Sequence, residues 1–132
     1  KSLEEVIDPA GKTLRYSCAG HQAPHYFNAE KGCVEDLPIP GSFPFGASKL
    51  AKYQEIEVSL NSGDVLVFYT DGVTEAADGA GQQYGEARLD AVLAQAPREV
   101  DALADALLQD VRRFAAGAEQ SDDITLIVVR RP

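Results

Sequence analysis

Two short stretches of this chain carry carboxylates in settings that suit a metal ion. They are Tyr69-Thr70-Asp71-Gly72 and Asp122-Asp123-Ile124-Thr125. Mg²⁺ and Mn²⁺ are hard ions that take oxygen ligands, a carboxylate or two plus waters, at about 2.0–2.2 Å. Taken singly, neither motif is specific. Asp-Gly is a common turn signal, and an Asp ahead of a strand is ordinary punctuation. Their placement gives them more weight. Asp71 follows the apolar run 65–69, and Asp122 and Asp123 precede the apolar run 124–129. If the two runs are neighbouring antiparallel strands, the end of one lies beside the start of the other. Asp71 and Asp122 then converge at one rim of a sheet. Converging carboxylates repel unless a cation or a proton relieves them.

The elements that must position these groups are legible in outline. Residues 13–19 alternate in polarity as a strand does, and residues 25–29 read as a second strand, so 13–29 is expected to form a hairpin. A short third strand is expected at 33–37. Residues 38–49 hold three Pro and two Gly, which excludes a helix there. Residues 53–60 alternate again, and 65–69 is continuously apolar, the pattern of a strand buried on both faces. Residues 86–95 place Leu89, Val92 and Leu93 at helical spacing. A second helix is expected to begin near Pro97, a good first helical position. Val100, Leu103, Ala104, Leu107, Leu108, Val111 and Phe114 form its wide apolar stripe. A final buried strand is expected at 124–129. This order predicts an α+β fold, mainly antiparallel, with helices on one side.

Composition bounds the function classes. The chain has 132 residues, enough for one domain with its own core. Its net charge of −9 repels nucleic-acid phosphates and anionic membrane surfaces, and favours cations. No apolar run reaches the length of a membrane span. Two cysteines make no disulfide framework, so a reducing, cytoplasmic setting is expected. There is no Met, even at position 1, which leads us to expect a piece of a longer protein.

Order and neighbours make the two carboxylate motifs specific. Tyr16 to Pro24 (Tyr-Ser-Cys-Ala-Gly-His-Gln-Ala-Pro), Pro44-Phe45-Gly46, the stretch 60–76, Tyr84-Gly85 and Ser121 to Leu126 occur in series. In that series the chain resembles the C-terminal part of the PPM family, the protein phosphatase 2C-like enzymes, and most closely the bacterial SpoIIE-like branch. The resemblance covers about residues 10–131, and the segment 63–76 is its most diagnostic part. It implies PPM-like antiparallel sheet layers with flanking helices, present as a partial domain over 1–132. It also implies hydrolysis of phosphoserine or phosphothreonine with two Mn²⁺ or Mg²⁺ ions. Asp71 and Asp122 fall on positions that coordinate an ion in the family. Asp123 is the secondary candidate, with capping of the turn as its other role.

The family's N-terminal half carries a motif whose Asp bridges both ions, and nothing in residues 1–20 resembles it. We therefore expect at most one partial metal site, no activity from this segment alone, and self-association through uncovered sheet. Relatives of this branch act on phosphorylated anti-sigma-factor antagonists and are joined to sensor or receiver domains; the same is expected here by resemblance. Two rival readings follow from the residues. Cys18, His21, His25 and Cys33 are ligand types for Zn²⁺, but in no standard spacing. The other rival is a non-catalytic regulatory module with a vestigial phosphatase fold, for which the missing motif argues and the retained Asp71 and Asp122 argue against.

Overall fold

The structure is a computed structural model describing residues 2–8, 10, 12–19, 22–38, 55–119 and 122–132. Among these residues the elements run β1 (Ser2–Asp8), β2 (Thr13–Ala19), β3 (His25–Asn28), β4 (Cys33–Glu35), β5 (Ile56–Ser59) and β6 (Val65–Tyr69). Then come α1 (Asp71–Thr74), α2 (Glu86–Gln95), α3 (Val100–Phe114) and β7 (Leu126–Arg130). The strands form two antiparallel sheets, a three-stranded one ordered β1-β2-β5 and a four-stranded one ordered β4-β3-β6-β7.

β6 is the keel of the molecule. All five of its residues are buried, as the unbroken apolar run predicts. Side chains alternate across a strand, so the run serves two cores. Val65, Val67 and Tyr69 face α2 and α3, where they meet Leu89, Leu93, Leu103, Leu107 and Val111. Leu66 and Phe68 face the three-stranded sheet and pack with Leu14, Tyr16 and Leu60. Each such buried aliphatic side chain contributes about 1.5–3 kcal/mol relative to exposure. The helices lie on one side of the four-stranded sheet, as expected.

Three expectations need correction. Residues 13–29 do not form a hairpin: β2 pairs with β1 and β5, whereas β3 pairs with β4 and β6 in the other sheet. Strand periodicity is local and does not say which strand a strand will pair with. α3 does not start at Pro97. It starts at Val100, because the Glu99 carboxylate caps it by accepting from the Asp101 and Ala102 amides at 3.1 and 2.8 Å. The last strand is not buried. Among the described residues β7 is an edge, and its Ile127 is 52% exposed. Ile127 pairs with Phe68 and shares its face, but the three-stranded sheet does not reach over it. A cleft of about 460 Å³ opens on that side, floored by Leu60, Leu66 and Val129.

The Pro- and Gly-rich stretch 38–49 falls, beyond Pro38, outside the described residues, as does His21. β1, which the polarity pattern did not reveal, pairs with β2 along its whole length.

Candidate metal centre

β6 and β7 are antiparallel neighbours, with Tyr69 opposite Leu126. The end of β6 therefore lies beside the start of β7, and the two carboxylate motifs meet at one rim. Beyond the last strand pair a clasp takes over. The Thr70 amide donates to the Thr125 carbonyl at 3.1 Å, and the Thr125 amide donates to Thr70 Oγ1 at 3.0 Å. Thr70 Oγ1 in turn donates to the Asp123 carbonyl at 3.0 Å. This explains why Thr70, in the N-cap position of α1, makes no side-chain cap there. Its hydroxyl is committed across the rim.

Gly72 lets the two segments approach. A Cβ built there would overlap the Asp123 carbonyl, lying 2.9 Å from its carbon. No side chain fits in that gap. The Asp-Gly pair, ordinary as a turn signal, is here a close-approach device.

The two neighbouring carboxylates divide their tasks differently from the expectation for Asp123. Asp122 is the residue that caps the turn, its Oδ1 accepting from the Asp123 amide at 2.8 Å. Asp123 contributes its backbone carbonyl to the clasp. Asp71 is half-buried, while Asp122 and Asp123 are exposed. Behind them, the loop that follows α1 is pinned back to the start of α2. The Tyr84 amide donates to the Ala76 carbonyl at 2.7 Å, and the Gly85 amide donates to the Thr74 carbonyl at 2.9 Å. Gly85 has φ of +78° and stands as the N-cap of α2. Tyr84-Gly85 thus supports the rim from behind.

The donors at this rim are hard oxygens on a locked backbone, which suits Mg²⁺ or Mn²⁺. Their number suits only part of a coordination sphere. Among the described residues, no group of three or more His, Cys, Asp or Glu is gathered closely enough to hold an ion. The described members of the zinc reading are not gathered either. Cys33 is an exposed free thiol on β4, Cys18 belongs to the other sheet, and both nitrogens of His25 bond other groups.

Sequence reasoning missed a second polar cluster. His25 Nδ1 bonds Asp90 Oδ1, and its Nε2 bonds the Tyr69 hydroxyl at 2.8 Å. Tyr69 also donates to Glu86 Oε1 at 3.3 Å, and Gln22 adds a further bond. Burial, then the charge of Glu86, hold the Tyr69 phenol well above the usual range, so it stays protonated. No local signal marks this cluster, because its members come from three separate segments.

The sequence model of the family described as Stage II sporulation protein E (SpoIIE) matches residues 4–132. The chain is 30% identical over 123 residues to the phosphoserine phosphatase RsbU of Bacillus subtilis, covering 88% of this chain and 34% of RsbU. It superposes on the RsbU and RsbW domains of Rv1364c from Mycobacterium tuberculosis with a TM-score of 0.77 at 25% identity, over 98% of this chain and 35% of that one. It superposes on the phosphatase domain of SpoIIE from Bacillus subtilis with a TM-score of 0.74 at 18% identity, over 98% of this chain and 56% of that one. The chain thus spans only 20% and 34% of the length of the curated relatives it matches.

Proposed function

Because the chain belongs to the SpoIIE family of PP2C-like phosphatase domains, we propose that it is the C-terminal part of a metal-dependent protein serine/threonine phosphatase domain. The observation that carries this reading is the clasp. Thr70, Gly72, Asp123 and Thr125 lock two carboxylate-bearing segments together at one rim. A fold with no use for that rim gains little from a glycine pressed against a carbonyl there.

In this reading Asp71 and Asp122 hold one Mn²⁺ or Mg²⁺, with Asp123 as a secondary donor. Such an ion, when bound, makes a coordinated water more acidic and offsets charge on phosphoryl oxygens. The chain's own residues do the positioning. The Thr70 bonds and the Gly72 approach fix the spacing of the two segments before any ligand arrives, so little ordering remains to be done on binding. The Asp122 carboxylate is oriented by the Asp123 amide. The net charge of −9 favours cation binding and disfavours nucleic acid.

In this reading the remaining ligands would come from the N-terminal part of the domain, which these 132 residues do not carry. The 132 residues alone are then inactive. The uncovered β7 edge and Ile127 then pair with that part or, in its absence, with a second copy. The proposed substrate is a phosphorylated anti-sigma-factor antagonist in bacterial partner switching, with a sensor or receiver domain upstream; the similarity to RsbU and to the RsbU and RsbW domains of Rv1364c supports the partner-switching part. No helix among the described residues is long and apolar enough to cross a membrane. A cytoplasmic location is part of the proposal.

Mn²⁺ titration of this chain and of its Asp71→Asn and Asp122→Asn forms tests the site. Saturable binding by the parent that both substitutions weaken supports the reading. Binding that is absent, or indifferent to both substitutions, would leave a vestigial regulatory module as the better account.

A further inference from the structure

The end of β6 is held differently on its two sides. Toward β7 the ladder runs on to Tyr69 and continues into the Thr70 clasp. Toward β3 the ladder stops at the pair His25 and Val67, because β3 begins at His25. Among the described residues, side chains replace the missing backbone pairing there. His25 shares a face with Val67 and reaches the Tyr69 hydroxyl, two residues further along, at 2.8 Å. The two rings meet edge-on, with centroids 5.1 Å apart. α2 braces both from above, since Glu86 and Asp90 are one helical turn apart and share a face. Glu86 accepts from Tyr69, and Asp90 bonds His25.

We propose that His25 is a positioning residue, a strut that holds Tyr69 and through it the Asp71 end of β6 in the geometry that binds the metal ion. This rests on the reading of the Asp71 rim given above. The argument is one of burial and direction. Tyr69 is 4% exposed, and the His25 side chain is 11% exposed. Buried polar groups cost free energy unless they are bonded, and leucines on α2 could have filled the same volume. A polar chain through this site orients a phenol, which an apolar contact does not do. The oriented phenol lies one residue from Thr70 and two from Asp71. An imidazole fixed on one nitrogen by a carboxylate presents the other in a defined direction.

Three substitutions at position 25 in this 132-residue chain separate the strut from simple packing. His25→Gln places an amide near the Nε2 position and keeps the bond to Tyr69. His25→Asn places it near Nδ1 and keeps only the bond to Asp90. His25→Phe keeps ring bulk and loses both. Mn²⁺ affinity, read from the electron paramagnetic signal of the unbound ion, is expected to fall roughly tenfold in the Phe and Asn forms and to stay within about twofold in the Gln form. Amide exchange at residues 70–73 is expected to quicken in the same two forms, with α3 unchanged. In a Tyr69→Phe background, His25→Phe is expected to add nothing. Equal affinities and exchange rates in the Gln, Asn and Phe forms would overturn the strut, as would losses that follow thermal stability alone. If Asp71→Asn leaves Mn²⁺ binding intact, the rim reading fails by itself. The exchange pattern then decides the strut.

Discussion

β6 has an aspartate at each end, and the two are used in opposite ways. Asp64, just before the strand, is 1% exposed. Its carboxylate accepts from the Tyr26 hydroxyl at 2.6 Å, the Asn61 amide at 2.8 Å and the Ala29 amide at 2.9 Å. Its backbone carbonyl accepts from the Arg131 amide at 2.9 Å. It ties the turns before β6 and after β3 to the chain that leaves β7. Asp71, just after the strand, is half-buried, and Thr70, Gly72 and the Asp123 carbonyl fasten the segment that carries it. A carboxylate that collects three donors from two segments serves the fold. Under the proposed reading, the one on the rim is the one that meets the metal ion.

Substitutions can test that contrast. The largest effect is expected at Asp64→Ala, which orphans a buried hydroxyl and two amides; a loss of about 3–5 kcal/mol should appear in urea unfolding. Asp71→Asn should cost less than about 1 kcal/mol by the same measurement while weakening Mn²⁺ binding. If the two aspartates cost the same, the contrast fails. Next comes Gly72→Ala, whose methyl must push the Asp123 carbonyl aside. It should cost about 1–3 kcal/mol and should also weaken Mn²⁺ binding, because it moves both carboxylate segments. Thr70→Val keeps the shape and removes the hydroxyl that serves Asp123 and Thr125; about 1–2 kcal/mol is expected, with metal affinity again the second readout.

Asp110 offers an intermediate case with a pH signature. Burial acts to raise its pKa, but hydrogen bonds from Tyr84 at 2.7 Å and Arg88 at 3.1 Å, with the charges of Arg88 and Arg113, outweigh it and leave it below the ordinary 3.8. A folded-state pKa below the unfolded one stabilises the fold above the unfolded value and is lost as pH falls through the folded one. Stability should therefore drop as pH falls below about 4, and Asp110→Asn should flatten that limb in denaturation curves taken from pH 7 to 2. The smallest effect on stability is expected from Ile127→Lys on the β7 edge. It should leave unfolding within about 0.5 kcal/mol while reducing concentration-dependent association in sedimentation runs.

Some of this architecture is plain in the chain. The unbroken run 65–69 specifies a strand buried on both faces, and the stripe from Val100 to Phe114 specifies α3, because both patterns are local and periodic. The Asp71 and Asp122 motifs were likewise legible as turn carboxylates flanking strands. The expected hairpin at 13–29 was not there, and the final strand proved to be an edge. Both depend on which strands pair, and pairing is set by contacts far apart in sequence. The His25, Tyr69, Glu86 and Asp90 cluster was invisible for the same reason. Nor does anything in Asn61-Ser62-Gly63-Asp64 show that Tyr26 and Ala29 will arrive to bond Asp64.

By itself, then, the sequence determined the elements, the two-sided burial of β6 and the identity of the carboxylates at its far end. Periodicity and turn chemistry act over a few residues and need no partner. Only the tertiary structure decided that Gly72 sits against the Asp123 carbonyl, that Asp122 rather than Asp123 caps the turn, and that one aspartate of β6 is structural while the other stands on the rim. Those outcomes depend on the antiparallel meeting of β6 with β7, which brings together segments some fifty residues apart along the chain.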